Sequence, residues 1–233
     1  MVIHLTMLCG ILEPRSNRKR VISMDDRFAK VTWLFFDIGS TLVDERLAYE
    51  HRFRDMAQAA GVSASYVTRT ALDFYRRNRK GDGETAELLG ITVSAWHSED
   101  EILYSDAAVC LATLRENYHI GIIANQLPGT AERLKAFGIG QYVDVLTASA
   151  EAGVSKPDPR IFQIALQQAG CLPENAVMIG DRVDNDIVPA KALGMKTIWI
   201  RQGFGQYWQI TDESEMPDVQ VDSLSDLMRM FGR

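Results

Sequence analysis

Three polar positions stand directly after apolar runs. Asp37 follows Trp33-Leu-Phe-Phe36, Asn125 follows His119-Ile-Gly-Ile-Ile-Ala124, and Asp181 follows Ala176-Val-Met-Ile-Gly180, with Asp184, Asn185 and Asp186 close behind. Lys156 lies in the turn-rich stretch Gly153-Val-Ser-Lys-Pro-Asp-Pro159. Three or more carboxylates brought to one edge repel each other unless a cation sits among them. Hard oxygen ligands of this kind suit Mg²⁺, which takes a few carboxylates and fills its other positions with water and substrate phosphate. A lysine nearby complements a phosphate dianion. Metal, lysine and a free carboxylate together are the parts of a phosphoryl-transfer site. This reading requires the Asp37 and Asp181 carboxylates to lie within about 8 Å, because each ligand oxygen stands ~2.1 Å from the ion.

The elements that must position these residues follow from the same runs. Val31–Phe36, His119–Ala124, Ala176–Gly180, Lys196–Ile200 and the shorter Val219–Val221 read as buried parallel strands. Helical patterns lie between them: Ala107 to Leu114 with Ser105 as N-cap, Thr130–Phe137, Pro159–Ala169, Asp186–Leu193 and a closing helix through Leu224, Leu227, Met228 and Phe231. Alternating strand and helix predicts an α/β fold, a Rossmann-like parallel sheet with helices on both faces. Ligands in such sheets bind beyond the carboxyl ends of the strands, where the polar residues fall. The segment 45–103 breaks the alternation and reads as purely helical, with stripes at Phe53, Met56, Ala57 and Ala60 and at Val67, Ala71, Phe74 and Tyr75. The expected organisation is an α/β core over 29–44 and 104–233, a small helical cap over 45–103 inserted after the first strand, and an N-terminal extension over 1–28 for which Met24 is an equally suitable start.

The chain has 233 residues, 46% hydrophobic and 24% charged, with a net charge of −6. The composition is that of a globular protein. The acidic balance argues against a general nucleic-acid binder and against an anionic membrane surface. No apolar run reaches the length of a membrane span. Cys9, Cys110 and Cys171 match no metal spacing, and their sparse, odd count suits a reducing, cytoplasmic compartment; Cys110 and Cys171 read as buried thiols. His4, His51, His97 and His119 show no ligand spacing. The basic cluster Arg76, Arg77, Arg79 and Lys80 reads as a solvated helix end matched to the dipole, or as an attractor for an anionic substrate. Trp96 and His97 are candidates for a specificity surface of the cap. Monomer and homodimer suit the sequence equally.

With these motifs assembled, the chain resembles the haloacid dehalogenase (HAD) superfamily, in its phosphoglycolate-phosphatase-like branch with a helical cap. Asp37-Ile-Gly-Ser-Thr-Leu42 resembles the first motif, Ile122-Ile-Ala-Asn125 the second, Lys156 in Ser-Lys-Pro-Asp-Pro the third, and Gly180-Asp-Arg-Val-Asp-Asn-Asp186 the fourth. The resemblance implies an Mg²⁺-dependent phosphatase acting on a small phosphorylated metabolite. Asp37 would attack phosphorus and form an aspartyl phosphate. The Asp37 carboxylate, the Gly39 carbonyl, Asp181 and Asp186 would hold Mg²⁺, with Asp184 a further supporting candidate. Lys156 would neutralise the nucleophile and, with Asn125, bind the phosphoryl group.

Two positions depart from the family pattern. Its phosphatases usually carry a second aspartate two residues after the nucleophile, which protonates the leaving group and later activates water; here that residue is Gly39. General acid–base help is typically worth about 10²–10⁴ in rate. Ala124 stands where the family usually has Ser or Thr to bind phosphate. Gly39 also has a plain reading, as the flexible residue a tight loop needs. The lost acid leaves several routes: a substrate with a good leaving group, a cap residue such as Glu45 or His51 as proton donor, or proton supply by the substrate. Another reading is a catalytically weak protein on the same fold that binds a phosphorylated ligand or a partner. A carbon–halogen hydrolase is disfavoured by the acidic fourth motif. Restoring the acid with Gly39→Asp is expected to raise turnover of alkyl phosphates unless another residue already serves or the site has no room.

Overall fold

The computed structural model describes residues 26–232. Eight strands are formed: β1 (Trp33–Phe36), β2 (Val43–Asp44), β3 (Ile102–Leu103), β4 (His119–Ala124), β5 (Val145–Ala148), β6 (Ala176–Gly180), β7 (Lys196–Ile200) and β8 (Val219–Val221). The helices are α1 (Arg46–Ala60), α2 (Ala64–Tyr75), α3 (Gly81–Leu89), α4 (Ala107–Leu114), α5 (Thr130–Ala136), α6 (Ser149–Ala152), α7 (Pro159–Ala169), α8 (Val188–Ala192) and α9 (Leu224–Phe231). Six strands form one parallel sheet in the order β5-β4-β1-β6-β7-β8.

The sheet is covered on both faces, which is why its central strands β1, β4 and β6 are largely apolar. Leu34 and Phe36 of β1 join the cluster built with Leu111 and Leu114 of α4 and Leu224 and Leu227 of α9. Phe35, between them, joins the opposite cluster with Ile161, Phe162 and Ala165 of α7 and Ala190 of α8. Helix α7 shows how the sequence sets its ends: the Asp158 side chain accepts from the Arg160 N–H, Pro159 opens the helix, and Gly170 closes it at φ 59°. Ser105 does not cap α4. The N-cap is Asp106, and its carboxylate accepts from the backbone N–H and hydroxyl of Ser225 rather than from the helix.

The chain runs from β1 through β4 to β5 on one side, then returns to β6 on the other side of β1 and continues to β7 and β8. A crevice opens at such a reversal, beyond the carboxyl ends of the strands. The register pairs Phe36 with Ile122 of β4 and Ile179 of β6, so the residues following all three strands arrive at one edge.

Helices α1 to α3 lie between β2 and β3, which pair antiparallel as Val43 with Leu103 and Asp44 with Ile102. Their core of Phe53, Met56, Val67, Ala71 and Tyr75 takes in Phe204 and Tyr207 from the loop after β7. The segment is not helical throughout: residues 91–97 are irregular and precede a short 3₁₀ turn at Ser98–Asp100. Phe28, in the turn before β1, is fully buried and packs edge-on against Phe231, so the packed core takes in the end of the expected extension. Cys110 is buried, whereas Cys171 is half-buried; Cys9 lies outside the described residues. No helix among the described residues is long and apolar enough to cross a membrane.

Candidate active site

The turn after β1 is wound tightly. The N–H groups of Thr41, Leu42 and Val43 all point at the Ile38 carbonyl, at 3.3, 2.9 and 3.0 Å. The residue that takes the left-handed conformation is Ser40, at φ 53°, and not Gly39. Glycine at 39 is therefore not required by backbone freedom. Space requires it: a Cβ built there would overlap Glu45 Oε1 and stand 2.7 Å from its Cδ and 2.9 Å from Oε2. Glu45 itself accepts from the Ser40 hydroxyl at 2.9 Å.

Lys156 Nζ donates to Asp37 Oδ1 at 2.7 Å and to Asp186 Oδ1 at 2.6 Å. Its side chain is 2% exposed and that of Asp186 is fully buried. Burial alone would push the lysine ammonium down, but Asp186 and Asp37 outweigh it and hold it above the ordinary lysine range. The loop carrying Lys156 is fastened by Asn125, whose Oδ1 accepts from the Lys156 N–H at 2.7 Å and whose Nδ2 donates to the Lys156 carbonyl at 2.9 Å. One amide hydrogen of Asn125 remains for another acceptor.

After β6 the chain makes a single π turn, Val183–Ile187, before α8. This turn carries Asp186 back over Gly180: a Cβ on Gly180 would lie 2.7 Å from Asp186 Cβ and closer still to its carboxylate. Oxygens of Asp37, Asp181 and Asp186 lie within 4.8 Å of one another, inside the 8 Å limit set by one shared ion. Asp184 is not part of this group, because Arg182 holds it at 2.9 and 2.6 Å. Burial raises the Asp181 carboxyl well above the ordinary range, and the charges of Asp186 and Asp37 add to this. Asp186 is lifted to about 6 by burial, with Lys156 opposing and Asp37 adding. Asp181 has no hydrogen-bonded cation among the described residues. Three buried carboxylates with one lysine thus leave negative charge uncompensated, and their all-oxygen donor set fits a hard divalent cation.

The cavity over this cluster measures about 210 Å³ and is lined by Gly39, Ser40, Glu45, Tyr49, Tyr75 and Arg182 among others. Phe204 stacks on Tyr75 at 4.6 Å and meets Tyr49 edge-on at 4.8 Å, so an aromatic roof joins the helical segment to the core. Burial, together with the charges of Asp37 and Glu101, pushes the Glu45 carboxyl up to about 8 against the hydrogen bond from Ser40 and the charge of Arg133.

A family profile for haloacid dehalogenase-like hydrolases matches residues 31–194. The chain belongs to that family. It is 33% identical over 155 residues to a glyceraldehyde 3-phosphate phosphatase of Methanopyrus kandleri, covering 64% of this chain and 66% of that one. It is 27% identical over 180 residues to a phosphoserine phosphatase of Thermus thermophilus, covering 76% and 63%. The chain spans about two thirds or less of the length of these curated relatives. Among solved structures, the HAD phosphatase from Thermococcus onnurineus superposes with a TM-score of 0.61 at 24% identity, over 87% of this chain and 98% of that one. The magnesium-bound YfnB from Bacillus subtilis superposes with 0.67 at 16%, over 87% and 99%. At these identities the superpositions speak to fold alone.

Within this HAD-like hydrolase, the geometry separates the two cap residues singled out from sequence. Glu45 reaches the cavity. His51, six residues on, lies on a different side of α1, where its Nδ1 is 2.7 Å from Asp100. There its ring stacks on His97 at 3.4 Å, and His97 Nε2 meets Asp55 at 2.7 Å. The cluster fastens the turn at 98–100 to α1; no spacing in the sequence foretold it. His119 opens β4 and stacks on Trp33 at 4.7 Å. Arg76 pairs with Asp73 and Arg79 with Glu84, away from the cavity. Trp96 donates to Glu101 at 2.7 Å and lies under the Arg52 guanidinium at 4.6 Å, in the wall of a second cavity. In the sequence Tyr75 shows only as part of a helix stripe, and Tyr49 and Phe204 stand out in no way, because aromatic residues on a helix or a loop carry no distinct active-site signal.

Proposed function

We propose that the protein is a magnesium-dependent phosphatase that works through an aspartyl phosphate on Asp37 and takes a small phosphorylated metabolite. The observation that carries this reading is the convergence of the Asp37, Asp181 and Asp186 carboxylates within 4.8 Å around the buried ammonium of Lys156. The similarity to a glyceraldehyde 3-phosphate phosphatase and a phosphoserine phosphatase points the same way, since both act on small phosphate esters.

In this reading the Asp37 carboxylate, the Gly39 carbonyl, Asp181 and Asp186 hold Mg²⁺. The ion supplies charge stabilisation at the transferring phosphoryl group. Lys156 holds the Asp37 carboxylate in place, and its ammonium shares the charge of the incoming phosphate. The free N–H of Asn125 offers a further donor to the phosphate. The aromatic roof of Tyr49, Tyr75 and Phe204 excludes water and limits the substrate's size.

The test is release of nitrophenol from p-nitrophenyl phosphate by the full chain, with Mg²⁺ and with a chelator, followed by a panel of phosphorylated metabolites. Turnover is expected to require the ion and to vanish in Asp37→Asn. Release that persists in Asp37→Asn, or no turnover of any ester, refutes the proposal; the latter result leaves a binding protein on this fold.

A further inference from the structure

Residue 39 is a glycine and carries no side chain, yet the space beside it is not empty. The Glu45 carboxyl fills the volume that a side chain at 39 would enter, with its Cδ 2.7 Å and its Oε2 2.9 Å from a Cβ built there. It arrives from six residues further along, past β2, from the residue that precedes α1. The Ser40 hydroxyl fixes Oε2 at 2.9 Å, and Ser40 is itself buried. Oε1 has no hydrogen-bond partner of its own among the described residues.

Glu45 also stands between two cavities. It lines the cavity over Asp37 and a second cavity of about 430 Å³ that contains Arg52, Trp96, Glu101 and Arg133. Tyr49, Asn125 and Gln126 are likewise common to both walls. In-line displacement at phosphorus puts the departing oxygen on the side opposite Asp37. On the phosphatase reading, with the phosphoryl group at Asp37 and Lys156, Glu45 would meet the departing oxygen and the rest of the alcohol would extend into the second cavity.

We propose that Glu45 is the general acid–base residue of this enzyme, taking over from the side chain missing at position 39. The proposal rests on the phosphatase reading above. In the first half-reaction an Asp37 oxygen bonds to phosphorus, the bond to the leaving oxygen breaks, and that oxygen keeps the electron pair and takes the proton of the Glu45 carboxyl. In the second, the Glu45 carboxylate takes a proton from water as the water oxygen bonds to phosphorus. The Asp37–phosphorus bond breaks, its electrons return to the Asp37 carboxylate, and inorganic phosphate leaves with Glu45 protonated again.

A purely structural Glu45, serving only as acceptor for Ser40, would slow all substrates alike when altered. The test therefore compares leaving groups. Glu45→Gln keeps the shape and the acceptor for Ser40 but cannot give up a proton. With Mg²⁺, the full chain is expected to lose about 10²–10³ in kcat/KM for an alkyl phosphate such as glycerol 2-phosphate. The loss is expected to be under about tenfold for p-nitrophenyl phosphate, whose leaving group needs little protonation. Dephosphorylation should lag in the variant, so a burst of nitrophenol precedes slow turnover. If Glu45→Gln fails to fold, the exchange Gly39→Asp with Glu45→Ser moves the acid to position 39 and should restore the wild-type ratio of alkyl to aryl turnover. An equal loss across leaving groups in Glu45→Gln, or an exchange variant that folds but shows only aryl activity, overturns this proposal while leaving the phosphatase reading intact. Absence of turnover by the unaltered chain overturns both.

Discussion

Binding of Mg²⁺ should expel protons, and the number follows from the carboxylate cluster. The Asp181 carboxyl is pushed well above the ordinary range by burial and by its two acidic neighbours. Asp186 is lifted to about 6. A carboxylate ligand must be deprotonated to coordinate, so binding is coupled to proton release. At pH 6 about half a proton from Asp186 should leave on binding, Asp181 should add to that count, and the release should fall as pH rises past both groups. Affinity should accordingly rise about tenfold for each pH unit per proton expelled, about 1.4 kcal/mol. The sign for stability is opposite in the metal-free protein. A carboxyl whose folded-state value is raised contributes stability that is full below its unfolded value and is lost as pH rises through the folded one. The metal-free cluster thus loses stability from about pH 4 upward through 6 and beyond, and the stabilisation by Mg²⁺ should grow over the same range. Calorimetric titration with MgCl₂ in two buffers of different ionisation enthalpy, at pH 6 and pH 9, reads the proton count directly. A dissociation constant that is flat between pH 6 and 8, with no buffer-dependent heat, would refute the placement of the ion among these carboxylates.

Two further outcomes follow from the same contacts. Gly39→Asp alone should lower activity rather than raise it, by about tenfold or more, because its Cβ overlaps the Glu45 carboxyl and its charge opposes it; steady-state rates on p-nitrophenyl phosphate and glycerol 2-phosphate check this, and a gain on the latter would show that the space is free. Lys156→Met should destabilise the metal-free protein by about 3–5 kcal/mol, since it strands Asp37 and Asp186 without their cation. Urea denaturation measures the loss, and Mg²⁺ at ~100 times its dissociation constant should return about 2.7 kcal/mol.

Strands β1, β4 and β6 were legible because they are buried on both faces and so appear as largely apolar runs, each followed by a polar residue of the site. The strand missed, β5, consists of Val145-Leu-Thr-Ala148, a four-residue edge whose first two residues are half-buried and whose Thr147 bonds Gln168. Such a run is too short and too mixed to stand out. The two-residue strands β2 and β3 exist only through pairing with each other across the helical insert, which no local pattern encodes. The acidic residues were legible as candidates, but their sorting was not. Asp184 and Asp186 are two residues apart and chemically identical, and only the π turn sends one to the cluster and the other to Arg182. The same holds for Asn125, visible as a strand-end polar residue but spent largely on holding the Lys156 loop.

Gly39 illustrates the point most fully. Read from the sequence, it marks either a loop that needs a flexible residue or a lost acid. The backbone removes the first reading, because the left-handed conformation belongs to Ser40. The second is incomplete, because the absence of a side chain at 39 is what lets the Glu45 carboxyl occupy that place. The two positions share one space: a Cβ at 39 would overlap the Glu45 carboxyl as it stands, so a side chain there requires that carboxyl to move. A glycine at 39 and a long acid at 45 are therefore one feature rather than two, tied together by the turn in which three amides gather on the Ile38 carbonyl and bring position 45 back over position 39. Because Glu45 also opens the helical segment, at the residue before α1, its proton-bearing group is tied to the cap side of the cleft while Asp37 is tied to the sheet. Any relative motion of those two parts would change the distance between nucleophile and acid, so that only a closed cleft would hold both at the phosphorus.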